Sequence, residues 1–231
     1  MSKVVHPYAH RLVILRGWKS RWIASKNYAS NLAGDVLIRR FLDKKLRGMY
    51  VSTVDIERNN KSLKILVHTS RPGMIIGRSG EGSTKLKAEL LKYLTKSKIV
   101  LPEEVKFDII EVTNPDADAK IVACTIAEGL EKRLPYRRVL KQTIEKVMSA
   151  RGVKGARIFI GGRLGGAEIA RTEQMKRGSI PLQTFRADVD FAREKAHMTY
   201  GDIGIKVWIY RGEIFSDQVG SASGRNDKFN N

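Results

Sequence analysis

The sequence predicts an α+β protein of two consecutive domains, and three observations carry that prediction. Apolar residues recur at helical spacing in four stretches and alternate with period two in others. Thr113-Asn114-Pro115 breaks the pattern between a mixed helix-and-strand half and a half that opens with two helices. With 231 residues and 42% hydrophobic side chains, there is enough apolar material for two cores.

Residues 1–22 read as a basic-aromatic N-terminal extension, in which Lys3, His6, Tyr8, His10, Arg11, Arg16, Trp18, Lys19, Arg21 and Trp22 interleave cations with rings. Two readings stand: rings stack on bases while cations take phosphates, or the tryptophans cover the edge of a core. The first domain is expected over 23–114. A helix runs from Lys26 to about Arg47, with Tyr28, Leu32, Val36, Phe41, Leu42 and Leu46 inward and Arg39, Arg40, Lys44, Lys45 and Arg47 outward. Val51–Arg58 alternates as a strand, Asn59-Asn60-Lys61 supplies turn chemistry, and Leu63–Thr69 returns. A glycine loop leads to a helix over Glu81–Thr95 buried along Leu86, Leu90 and Leu94, and Val105–Val112 is a third strand.

The second domain is expected over 115–212, two helices laid on a small, mostly antiparallel sheet, with 213–231 as a short tail. Asp118–Leu134 is helical along Val122, Ile126 and Leu130; Pro135 interrupts; Tyr136–Ser149 is helical along Leu140, Ile144, Val147 and Met148. Strands are expected at Ala156–Ile160, Ala167–Arg171, Phe185–Phe191 and Gly204–Ile209.

Charge narrows the function. There are 43 Lys+Arg against 24 Asp+Glu, a net charge of +19, and the pI is about 10.1. A polyanion relieves that self-repulsion and gains from counterion release, the footprint of a nucleic-acid binder. No amphipathic anchor or lipidation signal points to a membrane. Cys124 is the only cysteine, which excludes internal disulfides and cysteine zinc clusters, and a reducing cytosol is the expected compartment.

The loop Gly77-Arg78-Ser79-Gly80, entered through Ile75-Ile76, lets backbone approach a sugar-phosphate chain, since glycine lacks Cβ. The following helix turns its amides and positive dipole end toward an anion, and Arg78 adds a cation. Arg137, Arg138 and Lys141 share one helix sector beside the apolar stripe. Either a polyanion faces them, or they form a solvated face neutralised by Glu145.

Catalytic readings find little. Gly161-Gly-Arg-Leu-Gly-Gly166 lacks the lysine of a nucleotide loop and is followed by a strand, so its glycines read as a turn with Arg163 available to RNA. Asp188 and Asp190 share a strand face with Arg186, which reads as an ion-paired outer surface. His6, His10, His68 and His197 have no zinc spacing, and Cys124 falls in an apolar sector. A nuclease or phosphotransferase would need residues that cannot be assembled, and no enzyme activity, cofactor or small-molecule substrate is expected.

The order helix, strand, strand, glycine loop, helix, strand resembles the prokaryotic (type II) KH module, whose GxxG loop clamps about four nucleotides. Nearly the whole chain, from Lys3 to about Gly212, resembles the bacterial form of small-subunit ribosomal protein three. The matching stretches are Lys3-Val-Val-His-Pro, Ser70-Arg-Pro-Gly-Met-Ile-Ile-Gly, Gly161–Arg171, Pro181–Asp190 and Tyr200–Trp208. That resemblance implies binding to the 3′ major domain of 16S rRNA in the 30S head, beside ribosomal proteins ten and fourteen. It also implies a place at the mRNA entrance with proteins four and five, where Arg137, Arg138 and Lys141 handle incoming mRNA. Candidate contacts to rRNA or protein are Lys3, His6, Arg11, Arg16, Lys19, Arg21, Arg163 and Arg171. One departure is Ser79, where family loops often carry a second lysine. The other reading, a free-standing KH regulator or RNA chaperone, fits the long basic-aromatic N-terminus less well.

Overall fold

The computed structural model describes residues 5–24, 27–59, 61–97, 99, 102 and 104–215. Lys3, Lys26 and the tail beyond residue 215 therefore lie outside the described residues. The chain gathers into two compact units: 18–115, and a discontinuous one made of 1–17 with 116–231. Helix α1 (Pro7–His10) belongs to the second.

In the first unit, β1 (Ser20–Arg21), β2 (Val51–Arg58), β3 (Ser62–Thr69) and β4 (Glu104–Glu111) form one sheet in that order. β1 runs parallel to β2, β2 antiparallel to β3, and β3 parallel to β4. Alternate residues Val54, Ile56, Leu63, Ile65 and Val67 go inward. There they meet Ile38, Leu42 and Leu46 of or next to α2 (Tyr28–Lys45) and Leu90 and Leu94 of α4 (Glu81–Lys96). A fully buried side chain of this size contributes about 1.5–3 kcal/mol.

The start of α2 departs from the expected stripe. Tyr28, Leu32 and Val36 are exposed, and Gly34 and Asp35 face inward instead. A buried polar cluster explains the rotation: Asp35 accepts from Arg58 at 2.9 Å and from the Trp22 indole at 2.7 Å. Trp22 thus seals a core edge, whereas Trp18 is exposed.

In the second unit, β5 (Gly155–Gly162), β6 (Arg171–Gly178), β7 (Ala187–Met198) and β8 (Gly201–Glu213) form a sheet ordered β6-β5-β8-β7. Every neighbouring pair is antiparallel. Helices α5 (Ala119–Glu131) and α6 (Tyr136–Ser149) pack Val122, Ile126, Leu130, Leu140, Ile144 and Val147 against Ile158, Ile160, Ile205 and Val207. Asp118 caps α5 by accepting from the amides of Lys120 and Ile121.

Three strand expectations are corrected. The strand expected at Ala167–Arg171 lies instead at Arg171–Gly178, because Leu164–Gly166 forms a 3-10 turn with Gly165 and Gly166 at positive φ. β7 begins at Ala187 rather than Phe185 and runs to Met198, and β8 runs from Gly201 to Glu213, so the two form a long hairpin. The missed β6 is mostly polar, and as an edge strand it needs few apolar residues.

Candidate nucleic-acid interface

Short α3 (Pro72–Ile76), the loop Gly77–Gly80 and the start of α4 build the clamp. Gly77 and Gly80 have φ of 71° and 79°, where side chains are disfavoured, and Ser79 between them is also left-handed at 54°. The loop entrance is tied down: the Thr69 hydroxyl donates to the Met49 carbonyl and accepts from the Arg71 amide, while Arg71 lies 4.4 Å from the Tyr50 ring centre. No side chain caps α4 at Gly80. Arg78 and Ser79 are exposed at the tip, next to exposed Met74 and Ile76. The loop therefore offers glycine backbone, a helix N-terminus and a cation on one accessible edge.

In the second unit, Arg137, Arg138 and Lys141 are all exposed on α6, while Val139 and Leu140 beside them are buried. Arg137 is 76% exposed and pairs with Glu173 of β6 at 3.3 Å. That hydrogen bond, with the neighbouring Tyr136, raises its pKa above the ordinary value. The Glu145 expected to neutralise the sector instead meets Arg177, at 3.9 Å. Among the described residues, no carboxylate pairs with Arg138 or Lys141. Arg133 extends the patch and takes φ of 60°, where glycine is favoured.

Several expected surface contacts prove to be internal. Arg11 is wholly buried. It donates to the carbonyls of Ala187 at 2.5 Å, Leu182 at 2.9 Å, Pro7 at 3.0 Å, Thr184 at 3.0 Å and Pro181 at 3.1 Å. Burial and the nearby Arg16 lower its pKa. Arg16 is also largely buried, forming ion pairs with Asp188 at 2.7 Å and Asp190 at 2.9 Å. Burial opposes that charge, but Asp190 and Asp188 outweigh it and raise the Arg16 pKa. So Asp188 and Asp190 answer to Arg16 and Arg211, while Arg186 turns to Glu213.

Of the other candidates, Arg163 is engaged by the carbonyls of Ala167 at 2.9 Å and Tyr200 at 3.3 Å. His6 accepts from the Ala9 amide at 3.4 Å and meets Phe191 edge-on. Lys19 and Arg21 are exposed beside β2, with Arg21 3.5 Å from Glu57, and Arg171 is exposed at the start of β6. Cys124 is half-buried, and burial pushes its thiol up to about 11, which keeps it protonated and unreactive at neutral pH.

A glycine clamp on an α+β sheet unit, joined to a basic second unit, defines a KH-type RNA-binding protein. Residues 37–117 match the KH domain family, and residues 126–209 match the family described as ribosomal protein S3, C-terminal domain. The small ribosomal subunit protein uS3 of Clostridium acetobutylicum is 46% identical over 215 residues, covering 93% of this chain and 94% of that protein. Its counterpart from Ligilactobacillus salivarius is 42% identical over 224 residues, covering 97% and 99%. The chain belongs to the uS3 family of small-subunit ribosomal proteins, which bind RNA and are not enzymes.

Proposed function

We propose that this chain docks on 16S rRNA in the head of the small ribosomal subunit and lines the mRNA entrance, where it holds and helps to unwind incoming mRNA. The observation that carries the entrance role is the α6 sector. Arg138 and Lys141 point outward without a partnering carboxylate among the described residues, and Arg133 keeps a cation at a backbone position that favours glycine. Unopposed like charges on adjacent turns cost stability, which a passing polyanion removes. The glycine loop with Arg78 contacts sugar-phosphate backbone. Proteins ten and fourteen are the expected neighbours in the head, with four and five at the entrance.

Replacing Arg137, Arg138 and Lys141 together by Gln tests the reading. Reconstituted subunits should assemble normally, yet translate through a stable mRNA hairpin several-fold more slowly than through an unstructured message. Equal rates on both messages would remove the entrance role.

A further inference from the structure

The two faces of the second sheet differ in how their charges are paired, and on the helix side Arg177, opposite Ala156, meets Glu145. On the helix side, Glu173 accepts from the Tyr136 hydroxyl, Glu194 pairs with Lys120, and Asp190 accepts from the Ala119 amide. The other face carries Arg157 on β5, Lys176 on β6, Arg193 on β7 and Lys206 on β8. Strand register sets Arg157 directly opposite Lys176, and Lys206 directly opposite Arg193. Two like-charge pairs on one face destabilise a sheet, and among the described residues none of the four has a carboxylate partner. Asp202 is the acid nearest in register, and it is taken up by His197 at 2.6 Å and Lys195 at 3.8 Å.

Beneath these cations lies a bed of rings. Arg157 is 5.0 Å from the Trp208 ring centre, Lys206 5.5 Å from Phe159 and Arg193 5.5 Å from Phe191. The rings hold the charged groups up at the surface and restrict their motion. Trp208 is only 7% exposed, and its indole nitrogen is buried with no acceptor among the described residues. At one end the face is closed by the N-terminal segment, with His6 against Phe191 and His10 stacked on Phe185. The rest is open.

We propose that this face, through Arg157, Lys176, Arg193 and Lys206, is a docking surface for the phosphodiester backbone of folded RNA, distinct from the glycine loop and from the α6 cations. The inference rests on the rRNA reading above. The four cations stand one on each of four neighbouring strands, whose spacing of about 4.8 Å strings them across the sheet as a band of positive charge for a phosphodiester backbone to cross. Arg157 and Arg193 each lie over a ring, where they can donate to phosphate oxygens. Relief of both like-charge pairs comes with binding.

The test uses the full chain and a fluorescent transcript of the 16S rRNA 3′ major domain, read by anisotropy across salt concentrations. The variant Arg193→Gln/Lys206→Gln should bind about tenfold more weakly, with a log affinity–log salt slope flatter by about one to two. Its thermal midpoint should stay level or rise, since a repulsive pair is gone. The charge-keeping variant Arg193→Lys/Lys206→Arg should bind like the parent; equal loss there would make packing responsible and overturn the proposal. Unchanged affinity and slope in the Gln variant would also overturn it, as would full RNA affinity alongside lost binding to polyglutamate, which assigns the face to an acidic protein. Failure of the parent chain to bind the transcript would instead strike the rRNA reading beneath it.

Discussion

A methyl group at Gly82 would lie 2.5 Å from the Ile75 carbonyl oxygen and 2.8 Å from that of Ile76. Those carbonyls end α3, so this one hydrogen side chain lets α3 and α4 close on each other and sets the glycine loop between them. Gly82→Ala should therefore cost about 2 kcal/mol by forcing backbone apart, seen as a lower thermal midpoint together with weaker RNA binding. Gly73→Ala is the control, because nothing lies within 4 Å of a Cβ there, and it should leave both properties unchanged. The sequence showed the glycines framing the loop at Gly77 and Gly80. The requirement at Gly82 was not legible, because it comes from carbonyls brought close by folding. Arg11 shows the same limit: as a type it reads as a surface cation, yet five carbonyls enclose it.

At the scale of elements, the N-terminal segment acts as a strap on β7. Arg16 reaches Asp188 and Asp190, and Arg211 joins the same carboxylates while donating to the Ala117 carbonyl. Burial alone would raise the Asp190 pKa, but Arg16, Arg211 and the Ala119 amide overcome it and hold the carboxyl below its ordinary 3.8. Because the folded carboxyl binds its proton less tightly than the unfolded one, its stabilisation is complete at neutral pH. That stabilisation is lost as pH falls below 3.8 toward the lower folded value. Asp190→Asn should lower stability by about 2 kcal/mol at pH 7 through weakened charged hydrogen bonds and leave a shallower acid-induced loss, measured by urea unfolding at pH 7, 5 and 3. An acid limb as steep as the parent's would place the titrating group elsewhere. Helices α4, α5 and α6 were legible because each packs a single apolar side into its core. α2 was half legible, since its first two turns bury a polar cluster rather than a stripe.

For the whole molecule, the charge of +19 sets two opposite responses to salt. The free chain repels itself, so raising NaCl from 50 to 200 mM should lift its thermal midpoint by a few degrees through screening. Over the same range, affinity for the 16S transcript should fall by about 10³-fold or more as counterion release loses its driving force. Calorimetry on the free chain and filter binding on the complex read the two effects. An affinity insensitive to salt would mean that phosphate contacts do not dominate.

Periodicity, glycine spacing and charge are properties of neighbouring residues. From them alone followed the α+β class, the loop at Gly77–Gly80, the α6 cation sector and the expectation of a polyanionic partner. Tertiary structure alone decided which arginines stay outside. Arg11 and its Ala187 acceptor are 176 positions apart, and Arg16 and Asp190 are 174 apart. It also decided that two like-charge pairs share one open sheet face, since register between strands brings together residues whose encounter no local pattern encodes.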